Sequence, residues 1–264
     1  MRVTLAGKGG AGKSTLAGLL CWTLAGRGER VLAVDADAVP GLAQVLGIDA
    51  GDAWLLGEAV RRREDRSGWD LIMSPEEVVE RFGLPGPPGI RFLQMGNALG
   101  ELNETEIASF VAFSKVVPDL DDATSWVVVD LYGGTLQTSA GWSGSAGVVL
   151  VVVEPFAKSV ITAGRLAEMS QPGTRLLGVA SKIHSPGQRR QLEADLARIG
   201  IPLWAEMPAD AAVTDAERRG VPLVELSPES PAMRAVADIA DRLPEELRQV
   251  TMAAAEAKVT EEVP

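Results

Sequence analysis

The stretch Gly7-Lys8-Gly9-Gly10-Ala11-Gly12-Lys13-Ser14 constrains this chain more than any other. It satisfies G-x-x-x-x-G-K-[ST] and lies between an apolar run, "RVTLAG" (2–7), and a helical pattern beginning near residue 13. Glycines at this density let the backbone curl until several N–H groups converge as an anion nest. The helix that follows adds the positive end of its dipole. Gly7 to Gly12 therefore read as a phosphate cradle. Lys13 reaches the β- and γ-phosphates as a point charge, Ser14 offers its hydroxyl to Mg2+, and Thr15 continues the cradle into the helix. Gly7, Gly9 and Gly12 also satisfy G-x-G-x-x-G, but the Lys-Ser that follows fits a triphosphate better than a dinucleotide.

The rest of the chain supplies the frame such a loop needs. "RVLAVDAD" (30–37), "IRFLQMG" (90–96), "SWVVVD" (125–130), "GVVLVVVEP" (147–155), "RLLGVAS" (175–181) and "PLWAEMP" (202–208) read as strands. Several are apolar on both faces, as in a parallel sheet covered on each side. Helical patterns near 13–26, 103–117, 157–170, 186–199 and 229–242 alternate with them. The expected fold is α/β: a doubly wound, mostly parallel sheet of seven to eight strands with helices on both faces. Residues 1–243 read as one domain, with 50–90 an irregular insertion turned by "LPGPPG" (84–89). Residues 244–264 read as an acidic, alanine-rich tail that frays.

Carboxylates fall where Mg2+ chemistry would need them. Asp35 and Asp37 end the second strand, two residues apart and so on the same side. Ligands of open α/β sheets gather at this carboxyl edge. "SWVVVDLYGG" (125–134) places four apolar residues before Asp130 and glycines after it, the form of a Walker B strand. Asp130 would hold Mg2+ through water, since Mg2+ keeps much of its hydration. Gly134 would meet the γ-phosphate with its N–H and register its loss.

"GKGGAGKST" (7–15) resembles the deviant phosphate loop of the MinD/ParA class, which includes the nitrogenase iron protein and the arsenite-pump ATPases. The resemblance extends to CooC-like ATPases, the carbon monoxide dehydrogenase accessory proteins, over most of residues 1–225. It rests on "RVLAVDADAVPGLAQVLGI" (30–48), "VVVEPFAKSVITAGRLAEM" (151–169) and "GIPLWAEMPADAAVTDAERRGVPLVEL" (200–226). It implies ATP/ADP and Mg2+ as cofactors and a nucleotide-dependent homodimer in which Lys8 reaches the partner's phosphates. Lys8, Lys13 and Asp37 would be the catalytic set, with Asp37 activating water and Asp35 supporting the Mg2+ shell alongside Ser14 and Asp130. Ser181 stands where relatives carry an adenine-reading asparagine, beside Lys182, and Pro208 and Asp210 match the other adenine-side loop. Relatives read D-x-x-A-G, whereas Tyr132 and Gly133 stand here. CooC-like proteins also place C-x-C after the segment matching 90–96, whereas "NALGELNETEIASF" (97–110) has no cysteine.

The resulting expectation is a dimeric ATPase switch that assists a client protein such as a metalloenzyme, without carrying its metal. Its partner-facing surfaces would be the two switches and the segments 97–110 and 155–162. Two alternatives are a ParA- or MinD-type positioning ATPase and a nucleotide-binding module with little turnover. A net charge of −11 and an acidic tail argue against nucleic-acid binding and stable membrane association. Arg61-Arg62-Arg63 is followed by Glu64 and Asp65 and reads as a solvated helix face. Cys21 is the single cysteine, expected as a buried small hydrophobe in a cytoplasmic protein, and His184 reads as a surface loop residue.

Overall fold

The computed structural model describes residues 1–37, 41–51, 56–96, 104–120, 126–134 and 147–261, with side chains to residue 253. Residues 38–40 of the expected first switch and the start of the expected 97–110 surface lie outside the described residues.

The apolar runs become strands β1 (Arg2–Gly7), β2 (Val31–Asp35), β6 (Ile90–Gln94), β7 (Trp126–Asp130), β8 (Val148–Val153), β9 (Arg175–Ile183) and β10 (Leu203–Pro208). With β5 (Leu84–Pro85) they form one sheet in the order β10-β9-β8-β1-β7-β2-β6-β5. Every pairing is parallel except that of β5 with β6. β1 is the switch point: the chain fills β7, β2 and β6 on one side of it and β8 to β10 on the other.

Alternation along the strands divides two cores. Val3, Leu5, Val128 and Leu150 face Leu16 and Leu20 of α1 (Lys13–Gly26), Leu42 of α2 (Leu42–Leu46) and Val236 and Ile239 of the last helix. Ala6, Val129 and Val151 share the opposite core with Phe113 of α4 (Glu104–Val116), Leu166 of α5 (Ala157–Met169) and Leu196 of α6 (Pro186–Arg198). Burying each such Val, Leu or Phe side chain is worth about 1.5–3 kcal/mol, which explains why β7 and β8 tolerate no exposed position. Cys21 is buried in the first core, and burial pushes its thiol pKa up.

The structure corrects three expectations. The expected irregular insertion contains regular elements: β3 (Val60–Arg62) and β4 (Trp69–Leu71) form an antiparallel hairpin, followed by α3 (Pro75–Phe82). The signal for α3 was present, because Ser74 and Glu77 form a capping box with Pro75 in the first turn. The arginine run lies on that hairpin rather than on a helix, with Arg62 paired to Glu104 and Arg63 to Asp70. The last helix, α9 (Pro231–Glu261), continues through Pro244 instead of fraying there. Pro244 removes one N–H and costs helix stability. Leu247 and Val250 offset this by packing on the first core, and Glu246 accepts hydrogen bonds from Trp204 Nε1 (2.9 Å) and Arg175 Nε (2.6 Å).

Candidate active site

β1 ends at Gly7, and the loop turns through Gly12, whose φ of +98° is a left-handed conformation that favours glycine. α1 then starts at Lys13, so its free N–H groups point into the loop. Lys13 is only 5 % exposed. Next to the loop opens a cleft of about 700 Å³. Gly9, Gly10, Gly12, Lys13, Ser14, Thr15, Asp37, Ser181, Lys182, Pro208 and Asp210 line it. Gly7, Lys8, Ala11, Asp35, Asp130 and Gly134 are not part of that lining.

Parallel register sets Asp35 and Asp130 side by side at the ends of β2 and β7. Both are buried, and burial drives both pKa values up. For Asp130, the Lys13 charge and the Ser14 hydroxyl oppose that rise without cancelling it. The Ser14 hydroxyl stands beside Asp130, yet neither carboxylate oxygen accepts a hydrogen bond of normal geometry among the described residues. A buried carboxylate left in this state costs stability, and a cation ringed by water would satisfy it. Asp35 differs. Burial and the Asp130 charge raise its pKa, but its oxygens accept hydrogen bonds from the backbone N–H groups of Asp37 (3.0 Å) and Leu42 (2.9 Å). Asp35 therefore ties Asp37 to the first residue of α2. Among the described residues no group of three or more His, Cys, Asp or Glu side chains is arranged to hold a metal. A divalent ion here would take part of its shell from phosphate oxygens and water.

Three further residues take positions the sequence did not disclose. The Gly134 N–H, expected at a γ-phosphate, donates to the Gly7 carbonyl at 3.1 Å. A Cβ on Gly133 would fall 2.7 Å from Gly9 Cα, so glycine is what lets this turn lie against the phosphate loop. Asp210 lines the cleft, but its oxygens cap helices, accepting from Ala212 N–H (2.9 Å) at the start of α7 (Ala211–Arg219) and from Ala232 N–H (3.0 Å) in α9. Its partial burial would raise its pKa, but these N–H groups hold it below the usual carboxylate range.

Ser181 is fully buried, and its Oγ, without a hydrogen-bond partner among the described residues, sits 3.2 Å from where a Gly12 Cβ would be. It packs under the phosphate loop. Ser181→Ala is therefore expected to leave the fold intact and stabilise it by up to about 1 kcal/mol, because it removes an unsatisfied hydroxyl. A urea denaturation midpoint that fell would count against this placement.

Sequence reasoning missed Glu154 and Glu217. Thr15 Oγ1 donates to Glu217 Oε1 at 3.3 Å across the cleft, and Glu154 sits between Lys8 and Lys182. Both were hidden because their partners are distant in sequence. His184, exposed as expected, also lines the cleft.

A phosphate loop at the switch point of a parallel sheet, with a buried lysine and a buried strand-end carboxylate, defines a P-loop nucleotide-binding protein. Residues 3–223 match the CobQ/CobB/MinD/ParA nucleotide binding domain, CbiA, and the chain belongs to that family, as an ATPase of the MinD/ParA type. It is 26 % identical over 247 residues to the carbon monoxide dehydrogenase accessory protein CooC of Rhodospirillum rubrum, covering 86 % of this chain and 91 % of that one. An ATP-binding protein of Methanocaldococcus jannaschii is 25 % identical over 240 residues, covering 90 % of this chain and 84 % of its own length. The fold superposes on the septum site-determining protein MinD of Pyrococcus horikoshii, solved with Mg-ADP, with a TM-score of 0.67 and 19 % identity over 92 % of this chain and 95 % of that one.

Proposed function

We propose that this protein is a Mg-ATP-driven homodimeric switch that promotes the maturation or activation of a partner protein, a metalloenzyme by kinship with the CooC accessory protein. The observation that carries the switch reading is the division of labour between two lysines. Lys13 is buried at the head of α1, whereas the Lys8 side chain is 37 % exposed at the outer lip and outside the cleft lining. Lys13 would serve phosphates in its own cleft, and the exposure of Lys8 supports a role towards those of a facing subunit.

The residues fit Mg2+. Asp130 offers a buried carboxylate that accepts no hydrogen bond of normal geometry among the described residues, and Ser14 offers a hydroxyl beside it. When bound, Mg2+ would neutralise charge on the phosphate oxygens. Lys13 and the α1 N–H groups hold the phosphates, Asp37 orients water at the rim, and Asp35 fixes Asp37 through its backbone N–H. A docking surface for the client is supported by large apolar side chains left exposed after β7 and along the start of α5: Tyr132 (43 %), Phe156 (62 %) and Ile161 (55 %). No cysteine occurs in 97–110, so the client's metal would not be held there by thiolates of this chain.

The test is mass by light scattering in three states: without nucleotide, with Mg-ADP, and with Mg-ATP in Asp37→Ala, with Lys8→Ala beside it. ATP is expected to double the mass, Asp37→Ala to trap the dimer and Lys8→Ala to weaken it. A mass that never responds to ATP overturns the switch reading.

A further inference from the structure

Glu154, at the end of β8, is the carboxylate on which both lysines of the loop's lip converge. Its Oε2 lies 3.4 Å from Lys8 Nζ and its Oε1 3.2 Å from Lys182 Nζ. Each ammonium also donates into the phosphate loop, Lys8 to the Gly9 carbonyl (2.9 Å) and Lys182 to the Gly10 carbonyl (2.6 Å). An exposed ion pair carries little weight, but this arrangement differs from one. Glu154 is only 7 % exposed, it faces two cations with one charge, and its own N–H is fixed by donating to Ser159 Oγ at 3.0 Å. Lys182 holds this position with a φ of +56°, a left-handed backbone that lysine rarely adopts unless its surroundings impose it.

We propose that Glu154 is a positioning residue that holds Lys8 and Lys182 at the lip of the loop until phosphate draws them away, and so sets how strongly the site prefers ATP to ADP. Lys8 cannot reach a phosphate, in its own subunit or a partner's, while its charge is engaged by Glu154. Nucleotide must compete with a preformed carboxylate partner. The added charge of a γ-phosphate competes better than the two phosphates of ADP. With Glu154 neutralised, Lys8 is free from the start, and the gain falls mainly on ATP. The inference rests on the ATP reading above.

The experiment is titration of the full chain with fluorescent Mg-ATP and Mg-ADP for wild type, Glu154→Gln, Glu154→Asp, Lys8→Ala and Glu154→Gln/Lys8→Ala. Glu154→Gln is expected to tighten ATP about five-fold and ADP less than about two-fold, the scale of releasing a partly screened ion pair. Glu154→Asp, one methylene shorter, shifts the ratio in the same direction by less, and it stands in if the glutamine variant does not fold. In the Lys8→Ala background the change in ratio disappears. Equal shifts for ATP and ADP, no shift, or a ratio change that persists without Lys8 overturns the proposal. Wild type that binds neither nucleotide overturns the ATP reading and the proposal with it. Wild type that binds both, with a ratio indifferent to Glu154, overturns the proposal alone.

Discussion

Asp130→Asn is expected to stabilise the nucleotide-free protein while cutting its ATP hydrolysis about 10–100-fold or more. The reason is that one group serves two states in opposite ways. Without nucleotide, Asp130 is a carboxylate 1 % exposed, with no hydrogen bond of normal geometry to its oxygens among the described residues and the equally buried Asp35 beside it. Burial holds its pKa above the ordinary carboxylate value even against the Lys13 charge. A raised carboxyl pKa means that the folded chain binds the proton more tightly than the unfolded chain does. The contribution of Asp130 to stability therefore falls as pH rises from about 4, the ordinary carboxylate value, towards neutrality. Asparagine abolishes that penalty. The gain should be about 1–3 kcal/mol at neutral pH, or some 2–4 °C of melting temperature per kcal/mol for a chain of this size. The gap between variant and wild type should open with rising pH and close below about pH 4. Saturating Mg-ATP should reverse the order, since only the wild type gains from Mg2+. Thermal melts at several pH values, with and without Mg-ATP, check both halves. A variant less stable than wild type at neutral pH would sink the account of Asp130 as a charge awaiting a cation.

The same residue shows how much of this site is readable in one dimension. Asp130 follows four apolar residues and precedes glycines, so its place at a strand end is written locally. The strands and the helix following the phosphate loop were legible for the same reason: each is a contiguous apolar period with its own boundary residues. What sequence could not supply is which strand ends become neighbours. The Asp35–Asp130 adjacency depends on β7 inserting between β1 and β2, and the Glu154 contact with Lys8 depends on β8 lying on the other side of β1. Asp210 illustrates a second limit. Its position in the loop suggests a nucleotide contact, but helix-capping partners 2 and 22 residues downstream occupy its oxygens. The 50–90 hairpin is a different case, since its strands are only three residues long and too short for an alternation to register.

Lys13→Ala is expected to weaken Mg-ATP binding about 100-fold, the loss of roughly two charge-assisted hydrogen bonds to phosphate. It should also destabilise the empty protein by about 1–2 kcal/mol, although no contact at the surface is lost. The second effect follows from charge alone. Lys13 is the cation that opposes the burial penalty of Asp130, and alanine leaves that carboxylate beside Asp35 with less compensation. If that is the cause, the two sites cannot be independent. Asp130→Asn should then stabilise the Lys13→Ala background by more than it stabilises wild type, and the double variant should melt above Lys13→Ala. A cavity left by the lysine stem predicts the contrary, a fixed loss whatever stands at residue 130, so that the two changes add. A double-mutant cycle of thermal melts separates these, and nucleotide titration of the same four proteins reads the binding half independently. In that titration the double variant should bind no better than Lys13→Ala, because removing the carboxylate restores the fold's charge balance and returns no donor to the phosphates.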